Sequence, residues 1–234
     1  MIEREEARLA TFVLIHGAGD SAWYWHLLEP ELRDRGHEVV TMDLPCDDDS
    51  AGLTEYADAV IDAIGDRRDL VVVAQSFGGF TAPLVCERVP VDLMVLVAPM
   101  IPAPGEAPDD YWTNTRYAGS GSEGTGGGED ADDEQAATIA TFYHDVPADL
   151  AAEAVSRELR QSGARMNEPS PLKAWPDVPT RALLCRDDRL FPANWLRGVV
   201  KERLGITPDE IDGGHCIALS RPKELADRLY GFLS

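Results

Sequence analysis

Short apolar runs alternate with amphipathic stretches over the first hundred residues, the pattern of βαβ units wound into a mostly parallel α/β sheet. The spacing predicts buried strands over residues 9–15, 38–42, 70–74 and 93–98, and helices over 22–33, 54–64 and 77–88. Thr54 is expected to cap the second helix, because its side-chain oxygen can accept an orphan backbone N–H there. After Pro99 the alternation stops. Pro102, Pro104 and Pro108 lead to Tyr111 and Trp112, and residues 119–133 are glycine-rich and acidic with no large apolar anchor. Such a stretch cannot offset its ordering entropy by burial, so a mobile loop is expected.

Helical character returns over 135–143 and 148–160. The α/β pattern then resumes with a strand at 181–185, a helix at 194–204, a short strand at 206–211 and a terminal helix at 218–232. The domain reading is therefore a core of residues 1–99 and 178–234, interrupted by a lid insertion over 100–177. A chain of 234 residues suits one such domain and buries a single substantial core.

Composition narrows the partners. A formal charge of −21 would repel phosphate backbones and anionic lipid, so neither nucleic acid nor membrane is expected as a partner. No stretch approaches the roughly 20 apolar residues of a membrane span. The acidic start, with Glu3, Glu5 and Glu6, is unlike a secretory signal, and a cytoplasmic location is expected. Cys46, Cys86, Cys185 and Cys216 show no C-x-x-C spacing and read as free thiols. No H-E-x-x-H or clustered carboxylate spacing indicates a metal.

The chemistry gathers at turns. Ala74-Gln75-Ser76-Phe77-Gly78 follows the apolar run 70–73 and leads into a helix, so Ser76 sits on a tight strand-to-helix turn flanked by small residues. A serine nucleophile needs a base, an acid to orient that base, and N–H donors for an oxyanion. His215 follows Gly213-Gly214, which let the backbone turn sharply enough to aim an imidazole back at a serine. Asp187 and Asp188 both lie just past a strand, at the carboxyl edge where parallel sheets build their sites. Backbone donors would come from Phe77, directly after the serine, and from Ala18 in the loop His16-Gly17-Ala18-Gly19.

Taken together, the Ser76 elbow, the His16-Gly17 loop, the aspartate before Pro192 and Gly213-Gly214-His215 resemble an α/β-hydrolase over nearly the whole chain. Residues 16–25, with Gly36-His37 and Asp43-Leu44-Pro45, are similar to the plant methylesterase and hydroxynitrile lyase branch and its bacterial esterase relatives. The resemblance implies the α/β-hydrolase fold with a helical lid. It selects Asp188 over Asp187, four residues before the proline, and gives catalytic Ser76, Asp188 and His215, oxyanion donors Ala18 and Phe77, and supporting His16 and Gly17. It implies a serine hydrolase that cleaves a small, apolar carboxylic ester through an acyl-enzyme, without a cofactor; a homodimer is left open. Two departures stand out: Ala74 replaces the usual glycine of the elbow, and Gln75 stands where histidine is common. Hydroxynitrile lyases of this branch resemble one another in a threonine at the position of Gly17 and a lysine after the catalytic histidine, whereas this chain has Gly17 and Cys216. Cyanide chemistry is therefore not expected.

Three readings compete. A cofactor-free lyase or C–C hydrolase could use the same triad, and a receptor-like relative could bind ligand without turnover. Gly17-Ala18-Gly19-Asp20-Ser21-Ala22 also fits the dinucleotide fingerprint G-x-G-x-x-A, with Asp43 placed to hold a ribose. Against an NAD(P)-dependent oxidoreductase, no tyrosine has a lysine four residues on, and Trp23, Tyr24 and Trp25 would crowd a pyrophosphate. His26, His37 and His144 show no convergent partners and read as surface or packing residues. Met100, Ile101, Tyr111, Trp112, Phe142, Tyr143 and Trp175 could line an apolar pocket, although packing of the lid itself is the simpler role.

Overall fold

The computed structural model describes residues 9–118 and 131–233. Six strands form one sheet: β1 (Thr11–Ile15), β2 (Glu38–Thr41), β3 (Leu70–Gln75), β4 (Leu93–Val97), β5 (Thr180–Cys185) and β6 (Asp209–Ile211). Their order is β2-β1-β3-β4-β5-β6, and every pairing is parallel. Parallel strands need crossovers, and the crossover helices cover both faces, so the central strands β1, β3 and β4 are buried on both sides and almost wholly apolar. β1 shows this residue by residue: Val13 and Ile15 pack on one face, Phe12 and Leu14 on the other, all with no exposed surface. Each such side chain contributes roughly 1.5–3 kcal/mol on burial.

One face is covered by α2 (Leu53–Ile64), α3 (Gly78–Cys86) and α7 (Ala193–Leu204), through Tyr56, Val60, Phe80, Leu196 and Val200. The other carries α1 (Leu28–Arg33), α8 (Ile217–Ser220) and α9 (Pro222–Gly231), through Leu28, Leu32, Ile217, Leu225 and Leu229. Between β4 and β5 the insertion supplies a 3₁₀ turn at Pro108–Asp110, then α4 (Tyr111–Asn114), α5 (Ala131–Phe142) and α6 (Ala148–Arg157). The stretch expected as a mobile loop, 119–133, lies outside the described residues except for its last three positions, which open α5.

Proline explains where helices depart from the periodic pattern. The helix expected over 22–33 is a 3₁₀ turn at Ala22–Trp25 followed by α1, because Pro30 has no N–H and is tolerated only in the first turn of a helix. The terminal helix is likewise divided, with Pro222 at the first position of α9. Pro208 precedes β6, which is confined to three residues. Thr54 does not cap α2. Gly52 is the N-cap, and its N–H is held by the Glu55 carboxylate at 2.8 Å, which places Thr54 inside the first turn.

The insertion is fastened to the core by polar contacts. Glu106 and Arg203 of α7 form a buried two-pronged ion pair at 2.9 and 3.1 Å, and Glu106 also accepts from Asn114 Nδ2 and the Ala103 N–H. Leu159 N–H donates to Gly19 O at 2.7 Å, and Gly19 N–H donates to Gln161 Oε1 at 3.1 Å, so the segment after α6 is laced to the loop after β1. Among the described residues no helix is long and apolar enough to cross a membrane.

Candidate active site

The chain makes its sharpest turn at the carboxyl end of β3. Ser76 has φ +51°, a left-handed conformation that L side chains seldom adopt, and three backbone hydrogen bonds hold it there. Its N–H donates to Val97 O at 3.1 Å, and its carbonyl accepts from Gly79 N–H at 3.0 Å and Met100 N–H at 2.9 Å. The turn is also packed too closely for side chains. A Cβ on Gly78 would lie 2.8 Å from His16 O, and one on Gly79 would lie 2.0 Å from Met100 O. Those two glycines let α3 start directly behind Ser76.

His215 and Asp188 meet although they come from different loops. His215 Nδ1–H donates to Asp188 Oδ2 at 2.8 Å, with the residues 3% and 6% exposed. Asp188 Oδ1 accepts the N–H groups of Leu190 and Phe191 at 2.8 and 2.9 Å, so both carboxylate oxygens are satisfied and the side chain cannot swing away. Because the carboxylate only accepts, Nδ1 carries the proton of that bond, and in the neutral ring the Nε2 lone pair is the one left to act as a base. Phe191 and Phe142 present their edges to the imidazole, with ring centroids 5.1 and 5.6 Å away. Asp187 is turned elsewhere: its Oδ2 accepts Gly213 N–H at 3.1 Å, and its own N–H donates to Gly213 O.

Gln75 joins the histidine to the elbow. Its amide Nε2 donates to the His215 carbonyl at 3.4 Å, and its Oε1 would be 2.5 Å from a Cβ on Gly17. Any side chain at position 17 therefore has to displace a buried glutamine. His16, directly before it, is fully buried and bonded on both nitrogens: Nδ1–H to Gly17 O at 2.8 Å, and Nε2 accepting Leu44 N–H at 3.1 Å. Burial holds its pKa below the usual histidine value, which favours the neutral ring that these two hydrogen bonds require, one nitrogen donating and the other accepting, and that ring braces the loop after β1. Ala18 is exposed and Phe77 buried, and among the described residues neither backbone N–H has a hydrogen-bond partner.

The same loop is hostile to a dinucleotide. The segment 17–22 opens into a 3₁₀ turn of four residues, where Asp43 Oδ1 already accepts Ala22 N–H at 2.8 Å and Asp20 Oδ1 accepts Ser21 N–H at 2.8 Å. Two carboxylates occupy the donors that a pyrophosphate would need. Burial pushes Asp20 up to about 7, and the nearby Glu158 carboxylate adds to that. Cys216, next to His215, is buried, and that burial, with the Asp20, Asp188, Asp145 and Glu158 carboxylates nearby, drives its thiol well above the ordinary value, so it is inert as a nucleophile.

The model of the alpha/beta hydrolase family matches residues 12–228. The chain belongs to that family. Among relatives of this α/β-hydrolase, norfluorocurarine synthase 2 from a Strychnos species is 27% identical over 93% of this chain and 93% of its own length. A probable esterase of Oryza sativa subsp. indica, PIR7A, is 36% identical over 41% of each chain. The crystal structure of polyneuridine aldehyde esterase superposes with a TM-score of 0.81 at 19% identity, covering 97% of this α/β-hydrolase and 100% of that chain.

Sequence reasoning missed the insertion's part in the site. His144, expected as a surface or packing residue without convergent partners, has one: its Nε2–H donates to the Asp187 carbonyl at 2.9 Å. Asp145 Oδ2 accepts Gly214 N–H at 2.7 Å, although nothing in the pattern around residue 145 marks it. His26 and His37 do pack, the first stacked on Trp23 at 4.4 Å and the second edge-on to Phe12 at 5.0 Å. Tyr111, Trp112 and Tyr117 of the insertion pack with Phe80, Phe191 and Trp195 of the core into one aromatic cluster.

Proposed function

We propose that this protein is a serine esterase that cleaves a small, apolar carboxylic ester. Ser76 Oγ attacks the ester carbonyl as His215 Nε2 takes its proton, and Asp188 holds the imidazole in the required tautomer and offsets the charge it gains. The N–H groups of Ala18 and Phe77 hold the oxyanion. His215 returns the proton to the leaving alcohol, and a water deprotonated by the same nitrogen attacks the acyl-Ser76 ester, releasing the carboxylic acid and restoring the serine. The observation that carries this reading is the buried Asp188 to His215 hydrogen bond, tied through Gln75 to the strained elbow that bears Ser76. Esterase names among the relatives agree with it.

The test is covalent. A fluorophosphonate is expected to label the protein once, at Ser76, and Ser76→Ala to lower p-nitrophenyl acetate turnover by roughly 10³-fold or more with the melting transition intact. Equal turnover in the variant overturns the mechanism. A second reading, lyase or C–C bond chemistry by the same triad, is kept because a relative covering 93% of the chain is named a synthase. Turnover of β-keto acids in preference to esters would select it.

A further inference from the structure

One turn of the insertion surrounds the histidine loop. Where α5 ends, Arg189 Nη1 donates to the Ala140 carbonyl at 2.8 Å, so the residue after Asp188 caps the helix. Phe142 sets its ring edge against the His215 imidazole. His144 Nε2–H then donates to the carbonyl of Asp187, directly before the acid, and Asp145 Oδ2 takes the N–H of Gly214, directly before the histidine. The two contacts thus grip the residue preceding each member of the Asp188–His215 pair. The fit explains Gly214: a Cβ there would lie 2.6 Å from Asp145 Oδ1 and 2.8 Å from His144 Nε2.

The remaining oxygen of Asp145 argues against a role in fold stability alone. Oδ1 is buried and has no hydrogen-bond partner among the described residues. A carboxylate held with one oxygen buried and idle is destabilising, and such groups in folded proteins call for a reason beyond packing. The oxygen that is bonded fixes the peptide that aims the imidazole.

We propose that Asp145, with His144, is a positioning residue of the esterase reaction: through Gly214 N–H and the Asp187 carbonyl it sets the angle at which His215 meets Ser76. This rests on the serine-esterase reading above. Displacement of a catalytic group by about 1 Å can cost on the order of 10²-fold in rate, and an interaction that acts on the transition state alone lowers kcat without raising KM. Asp145→Ala is therefore expected to lower kcat by roughly ten- to a hundredfold with KM and the melting midpoint little changed. Asp145→Asn, which keeps a carbonyl oxygen for Gly214 N–H, restores kcat to near the parent value. His144→Ala tests the other contact independently, and it decides the matter should Asp145→Ala not fold; a fall in kcat at unchanged KM is expected.

Fluorophosphonate kinetics separate this inference from the reading beneath it. Both alanine variants are expected to be labelled to full stoichiometry but more slowly than the parent. Parent protein labelled at Ser76, with both alanine variants labelled at the same rate, overturns the positioning role alone. An activity loss that Asp145→Asn fails to restore also overturns it. A parent protein that takes no label removes the esterase reading, and this inference with it.

Discussion

At the scale of single residues, two adjacent aspartates do different work because of what their oxygens meet. Asp188 gives one oxygen to His215 and the other to the N–H groups of Leu190 and Phe191, whereas Asp187 satisfies Gly213. Replacing Asp188 with asparagine puts an amide where the imidazole needs an anion and favours the wrong tautomer, so kcat for p-nitrophenyl acetate is expected to fall by roughly 10³–10⁴-fold. Asp187→Asn retains an acceptor for Gly213 N–H, and its expected loss is no more than about the worth of one hydrogen bond, roughly tenfold. Comparable losses in the two variants would remove the distinction. Sequence pattern could place an aspartate pair at this strand end, but resemblance was needed to choose between them. The reason is physical: the choice depends on which side chain faces a loop 27 residues further along the chain.

At the scale of elements, the insertion and the β1 loop meet through acids. Asp20 follows the Gly17–Gly19 bend, and burial, with Glu158 nearby, raises its carboxyl to about 7. A carboxyl raised from about 4 in the unfolded chain holds a proton more firmly when folded. Its contribution to stability is full below the unfolded value and is lost as pH rises through 7. The urea midpoint is therefore expected to fall between pH 5 and pH 8, and Asp20→Asn to flatten that dependence in the same titration. An unaltered slope in the variant would assign the dependence to other groups.

How much of this was legible beforehand follows from range. Strands that alternate in register with their crossovers announce themselves by local periodicity, and β1, β3 and β4 lie where the apolar runs put them. The breaks at Pro30 and Pro222 were legible too, had the missing N–H been weighed against the apolar spacing. The α5 turn was not. Gly214 and Asp145 are 69 residues apart, and a carboxylate that meets one backbone N–H leaves no periodic trace.

At the scale of the whole molecule, every group in the proposed reaction lies at one rim of the sheet, where β1, β3, β5 and β6 end, while the insertion leaves β4 and returns to β5 across that rim. A formal charge of −21 surrounds this arrangement, so substrates that reach the serine are expected to be neutral rather than anionic. The bent backbone at Ser76 has a consequence for the fold as a unit. With φ at +51°, a glycine there would rest where a serine is forced. Relative to Ser76→Ala, which keeps the strain, Ser76→Gly is expected to be more stable by about 1 kcal/mol, measured as a higher melting temperature of the disarmed protein. Equal melting would mean that the bend is relaxed. A higher value would mean that this chain forgoes some of its own heat tolerance to keep a hydroxyl poised.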